Sequence, residues 1–500
     1  MVRRARSADG LFYILVSQAR PRLEAPQHHA AARRCRGDEN QEKGVRILGQ
    51  ASPGMIEQHT MRTAIPIVAA LFPGILLATC ARSPFHNWGH HLTRAAFVNV
   101  NVIRTGTNEV LPGRTVYIED GIIRRVGPAH DIKTPADTYI IDASGKYLLP
   151  GLADMHIHHR GDFGFTNSEE DLALYLVNGV TTVRNMSGSA WDLRVRQKIG
   201  SRQIPGPHYY TCGPRVGRAT ATPEAAERIV LEQKRAGYDC VKLYSGIPQA
   251  AFSKAIRTAE AAGIPAVGHA QPRLPFEYTL QLRSIEHLEE ILALFSYSPP
   301  NATSQSLVEQ MAARNVFLTP TLVVPEGYKY FFSEEERNRL MSRSQTAYVM
   351  PTPLAAFFSP ESSAWKSVHG FGHDRLERDR QLALQYVPFL HDHGVKLLLG
   401  TDGIAFAPGF SVHDELANLV AAGLEPHQAL TTATVNPAEY LGKPRTAGSI
   451  DSGKDSDLVL LDENPLEDIS STRTIRGVMI GRLWIDKNDI EAALRRLKKK

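Results

Sequence analysis

A chain of 500 residues, 43% hydrophobic and 22% charged, has ordinary globular composition and enough length for more than one core. The net charge of +5 sits at the ends: residues 1–60 carry +4, residues 490–500 carry another +4, and the stretch between them is −3. This excludes a basic nucleic-acid-binding body, and four cysteines (Cys35, Cys80, Cys212, Cys240) in so long a chain exclude a disulfide-stapled small fold.

Residues 1–60 are rich in Arg, Gln and Ala and show no sustained periodicity. They read as disordered, or as an extension upstream of a true start at Met61. From Met61-Arg62 a nearly unbroken apolar run extends from Ala64 to Ala78, too short for a comfortable membrane span and interrupted by Pro73-Gly74. A positive start, an apolar centre and small residues at the end describe a secretory signal over 61–80. Its Leu77-Ala78-Thr79-Cys80 ending resembles a bacterial lipoprotein cleavage site with Cys80 as the lipidated residue; an ordinary cleaved signal fits as well. The expected location is therefore exported, either periplasmic or anchored to a membrane through Cys80.

Short β-rich runs follow over 97–149: FVNVNVI, TVYIEDGIIRRVG and YIIDASGKYLL. Asp120-Gly121 between two apolar runs is a hairpin signal. The same style returns only in 447–486, in SDLVLLD and RGVMIGRLWI, which predicts one β-sandwich built from both ends of the chain. Between them, over 150–446, strands and helices alternate, the pattern of a parallel sheet. Eight strand candidates stand in order: 151–158, 180–186, 208–213, 240–246, 265–270, 284–288, 316–324 and 396–403. Thr222-Pro223 opens one of the intervening helices, and Gly237 and Gly263 close two. Eight such units predict an α/β fold of the (β/α)8 TIM-barrel type, with its site at the C-terminal ends of the strands. Cys212 and Cys240 fall in two predicted strands and read as buried apolar fillers. Residues 325–380 are long for a connection and read as a helical insertion capping the barrel mouth. Tyr328, Tyr330, Phe331, Phe332, Phe357, Phe358 and Trp365 there form either an aromatic wall for substrate or the insertion's own packing. The basic stretch after residue 487 reads as a solvated terminal helix.

Ionisable residues recur at the predicted strand ends. The first strand brings His156 and His158, which alternation aims at one face; the fourth brings Lys242, the fifth His269, the sixth His287 and the eighth Asp402. Each has an ordinary alternative taken alone: a strand-edge lysine, satisfied core histidines, a helix-capping aspartate. Together, in a core that is normally Val, Ile and Leu, they point to a metal site. Tyr244, two residues after Lys242, shares its face of the strand. Arg184, ending the second strand, reads as an internal salt-bridge partner or as a carboxylate binder. His159, His373, His391 and His393 lie outside the pattern.

This pattern, carried by PGLADMHIH, VKLYSG, VGHA, SIEH, LGTDG, TVNPAEYLG and SGKDSDLVLLDENPL, resembles the amidohydrolase superfamily of metal-dependent hydrolases and its binuclear imidazolonepropionase/prolidase-like group. The resemblance covers roughly residues 97–486. It implies two divalent ions, zinc first and Mn, Co or Fe as alternatives, with His156, His158 and Asp402 holding one and His269 and His287 the other. It also implies a carbamate on Lys242 that bridges them. The implied reaction is hydrolysis of a C–N bond, in an amide, cyclic amide or dipeptide, by a metal-bridged hydroxide. Asp402 would serve as general base and acid. Tyr244, from its place two residues after Lys242, is expected either to bond the oxyanion or substrate or to pack as an aromatic at the barrel rim. Two alternatives stay open: lactone or phosphotriester hydrolysis on the same centre, and a mononuclear deaminase or imidazolonepropionase. The partners expected are a small-molecule or dipeptide substrate and, as an option, further copies of the chain; no nucleic acid is expected.

Overall fold

The computed structural model of the chain describes residues 88–159, 169–220, 222–403 and 407–499. The readings for 1–60 and for the signal over 61–80, with Cys80, lie outside the described residues.

Both ends of the chain meet in one nine-stranded sheet. Its path runs from His90–His91 through Leu483–Asp486, Ile475–Ile480, Leu458–Leu461 and Tyr147–Pro150 to Arg94–Arg104, Glu109–Glu119 and Ile122–Pro128. Tyr139–Asp142 pairs beside the start of the long strand Arg94–Arg104, and Tyr147–Pro150 pairs further along it, both parallel. Two register shifts and a left-handed backbone at Asn99 (φ 55°) bend that long strand. The sheet therefore coils back on itself: Ile123 N donates to Lys454 O at 2.8 Å, Ser456 N donates to Gly121 O at 2.9 Å, and the Phe97 and Trp484 rings meet edge to face at 5.3 Å. The expected two-sheet sandwich is thus one continuous sheet wrapped around Phe97, Val116, Ile123, Leu148 and Leu460. The bend in a shared strand replaces the break between two sheets. Asp120 (φ 54°) and Gly121 (φ 76°) make the expected hairpin turn. Gly477 lies directly under Trp484, where a Cβ would stand 2.2 Å from the indole, so only glycine admits that ring.

The middle of the chain forms two curled parallel sheets. The first holds Leu152–Ile157, Val180–Asn185 and His208–Thr211; the second holds Val241–Leu243, Ala266–Gly268, Ser284–Glu286 and Phe317–Thr319. Backbone pairing carries on from sheet to sheet. Cys212 pairs with Cys240, Leu318 pairs with Leu397, and Met155 N donates to Leu399 O at 2.8 Å. The seventh strand stops at Thr319, because Val323–Gly327 turns helical. The eighth is reduced to the bridge at Leu397. Helices cover the outside. The Thr222 hydroxyl accepts from Ala225 N at 3.2 Å at the head of Pro223–Ala236, and Gly237 (φ 86°) closes it in the left-handed conformation.

Two local expectations are corrected. Cys212 and Cys240 are joined in a disulfide, since parallel pairing sets their Cα atoms 4.3 Å apart. The basic C-terminal stretch is docked rather than solvated: Ile490, Ala493 and Leu497 of the helix Lys487–Leu497 are buried, and Lys499 Nζ bonds Asp171 Oδ1. The insertion is helical as expected, and four of its aromatics face one another. Phe331 lies 5.0 Å from Phe358, 5.4 Å from Phe357 and 6.3 Å from Trp365, so these four pack within the insertion, whereas Tyr328 is buried with Glu289 and Asp402 among its charged neighbours. Among the described residues no helix is long and apolar enough to cross a membrane.

The disulfide closes a 28-residue separation between neighbouring strands. Replacing both cysteines by alanine is expected to lower unfolding stability by about 2–4 kcal/mol, read in a denaturant titration; an unshifted midpoint would show that the crosslink contributes nothing.

Candidate metal centre

The site begins with a fully buried strand, Leu152–Ile157, whose alternation sets Asp154, His156 and then His158 on one side. The eighth-strand segment lies unusually close to it. At Gly400 a Cβ would stand 2.6 Å from the His156 Cβ and 2.4 Å from Thr319 Cγ2, so only a glycine lets the two strands touch there. Past that contact Asp402 N donates to His156 O at 2.7 Å. Asp154, itself buried, accepts from Thr401 N at 3.1 Å and from Thr401 Oγ1 at 2.7 Å. These bonds hold Asp402 in a left-handed backbone (φ 57°) that aspartate tolerates better than most residues. His287 (φ 71°) and Thr321 (φ 53°) also have positive φ, so three residues of one site leave the usual backbone region.

The six residues singled out in the sequence come together. Asp402 Oδ1 lies 3.1 Å from His156 Nε2 and 3.1 Å from His158 Nε2. Lys242 Nζ lies 3.2 Å from His156 Nε2 and is fully buried. The His156 and His287 rings are 4.5 Å apart, and those of His287 and His269 are 5.2 Å apart. His156, His287 and Asp402 each offer a ligand atom within 4.8 Å of the others. Tyr244 packs its ring 4.2 Å from that of His269 and 5.2 Å from Lys242 Nζ, on the side expected from its spacing. Arg184 is inside the fold and paired: Nη2 bonds Glu286 Oε1 at 2.8 Å and Nε donates to Met155 O at 2.6 Å. It is therefore the internal salt-bridge partner, not a carboxylate binder.

A second tier of residues was missed. Glu286 Oε2 bonds His156 Nδ1 at 2.8 Å, Glu290 Oε1 bonds His269 Nδ1 at 2.8 Å, and Thr321 Oγ1 bonds His287 Nδ1 at 2.9 Å. Each of these imidazoles is thus tied at Nδ1, which leaves Nε2 as the candidate ligand atom. Alternation in SIEH placed Glu286 on the same side as Ser284, and that signal was available in the sequence. Glu290 and Thr321 carried none, because their roles depend on how a helix and a loop return to the ring.

Burial governs the electrostatics. It pushes the Lys242 amine down to about 8, and it lowers His158 and His287 towards the neutral form that binds metals. Burial raises Asp402, but bonds from His156 and His158 outweigh it and leave the carboxyl well below its usual range. The donor chemistry fits divalent ions: imidazoles tied at Nδ1 and an ionised carboxylate between two ring nitrogens.

Glu286 is charged and inaccessible to water, and Arg184 neutralises it. Arg184→Met removes that partner and is expected to cost about 3–5 kcal/mol of stability, read by denaturant unfolding of the metal-free protein. Wild-type stability in this variant would show that the pair does not hold the core.

Part of an adenine deaminase of Ruegeria pomeroyi is 31% identical over 121 residues, which is 24% of this chain but only 18% of that protein. The chain therefore spans well under two thirds of that relative. The ochratoxinase of Aspergillus niger is similar over far more: 23% identical over 427 residues, covering 75% of this chain and 83% of that one. Among solved structures, a Xaa-Pro dipeptidase with bound methionine in the active site superposes with a TM-score of 0.62 at 18% identity, covering 79% of this chain and 100% of that one. The model of the amidohydrolase family matches residues 147–483, the span that holds all six clustered side chains, and the chain belongs to that family.

Proposed function

We propose that the chain is a binuclear metal-dependent hydrolase of C–N bonds, acting on an amide, a cyclic amide or a dipeptide within a closed (β/α)8 barrel. One observation carries this reading: Lys242 Nζ sits 3.2 Å from His156 Nε2, among imidazoles and a carboxylate. An ammonium there opposes any cation beside it, whereas a carbamate on the same nitrogen offers two anionic oxygens. A one-metal site has no use for such a bridge. Membership of the amidohydrolase family and the likeness to a Xaa-Pro dipeptidase support an amide or dipeptide as substrate. Backbone pairing through Cys212–Cys240, Leu318–Leu397 and Met155–Leu399 supports the closed ring.

His156, His158 and Asp402 would hold one ion, His269 and His287 the other, and Lys242 would join them. When bound, the ions supply a Lewis acid for the carbonyl and a water of lowered pKa. Asp402 takes the proton of the attacking water at its free carboxylate oxygen and delivers it to the leaving nitrogen as the C–N bond breaks. The Tyr244 hydroxyl donates to the carbonyl oxygen as negative charge gathers there. The Cys212–Cys240 crosslink and the apolar run over 61–80 support an exported protein working in an oxidising compartment.

The deciding experiment supplies zinc-loaded protein with dipeptides, N-acyl amino acids, lactones and phosphotriesters. Turnover of amides is expected; turnover confined to lactones or phosphotriesters would overturn the choice of bond. Lys242→Ala is expected to lose bound metal and activity together, measured as metal per chain and initial rate. A two-metal, fully active variant rules out the carbamate. Asp402→Asn is expected to keep the circular-dichroism spectrum and lower kcat by about 10²-fold or more, and an unchanged kcat would remove Asp402 from proton transfer.

A further inference from the structure

The imidazoles are backed unequally. Glu286, behind His156, shares its charge: Oε1 accepts from Arg184 Nη2 at 2.8 Å and from Ser284 Oγ at 2.6 Å. Thr321, behind His287, carries no charge. Asp402 lies 3.1 Å from both His156 and His158, so the direct carboxylate belongs to that half of the centre. On the other half, the anion bonded to an imidazole is Glu290, 2.8 Å from His269 Nδ1, with its side chain 11% exposed.

The local backbone explains the placement. His287 precedes the helix Leu288–Leu294, and Glu290 stands three residues later in its first turn. One short stretch of backbone thus carries both the His287 imidazole and the carboxylate bonded to His269 Nδ1.

Resting on the two-metal reading above, we propose that Glu290 is the positioning residue that sets the affinity of the His269–His287 metal position. It locks His269 with Nε2 as the ligating atom and supplies a negative charge that the imidazoles do not. A carboxylate bonded to the far nitrogen makes an imidazole a stronger donor, and loss of such a partner typically costs about 10–100-fold in metal affinity.

Glu290→Gln keeps an oxygen acceptor and removes the charge, so it isolates the electrostatic part. Metal-free wild type and variant are titrated with zinc against a chromophoric chelator, and both are melted without metal. Wild type is expected to bind two ions. The variant is expected to bind one as wild type does and the other about 10–100-fold more weakly, with an unchanged melting temperature. Two wild-type affinities in the variant overturn the role of Glu290 while leaving the two-metal reading intact. A wild type that saturates at one ion overturns both. Weaker binding accompanied by a large fall in the metal-free melting temperature marks a merely structural residue and also overturns the proposal.

Discussion

Four imidazoles, an amine and a carboxylate lie together in a place where a protein of this architecture normally packs aliphatic side chains. Removing such groups from water is costly unless each polar atom is answered. Here the answer comes in layers. The Nε2 atoms and Asp402 face one another, three Nδ1 atoms face Glu286, Glu290 and Thr321, and Glu286 in turn faces Arg184. Arg184 spans the interior from Met155 O to Glu286 and lays its guanidinium over the Tyr440 ring at 4.7 Å. Through it, the electrostatics of the centre are tied to the helix Val435–Tyr440.

The close approach of strands is the mechanical side of the same constraint. Gly400 lets the eighth segment touch His156, and Asp154 and the His156 carbonyl then hold Thr401 and Asp402 in place. At Gly268 a Cβ would stand 1.9 Å from Leu243 O, so the strand before His269 can lie against the strand bearing Lys242 only as glycine. Small residues set the spacing, and the charged ones exploit it.

Much of this could be read in the sequence. Alternation put His156 and His158 together, and strand order put Lys242, His269, His287 and Asp402 around them, because side-chain direction in a strand depends only on parity. The unread parts depend on geometry that parity does not carry. Whether Cys212 meets Cys240 turns on the register of two strands 28 residues apart. Whether Glu290 meets His269 turns on where a helix starts. The terminal helix looked solvated because its charge dominates its composition, yet Ile490, Ala493 and Leu497 make a continuous buried edge. The two-sheet sandwich was expected because pattern alone does not reveal that one bent strand can serve two successive neighbours.

The pairing of Tyr147–Pro150 with Leu458–Leu461 has an outcome for how the molecule is made. The strand that leads straight into His156 gains this neighbour only after some three hundred further residues have left the ribosome. Until then its outer edge, Leu148 and Leu149 included, is an open row of amides and carbonyls that other chains can join. Pairing strands so far apart in sequence is intrinsically slow. A chain cut before residue 458 would keep that edge uncovered for good.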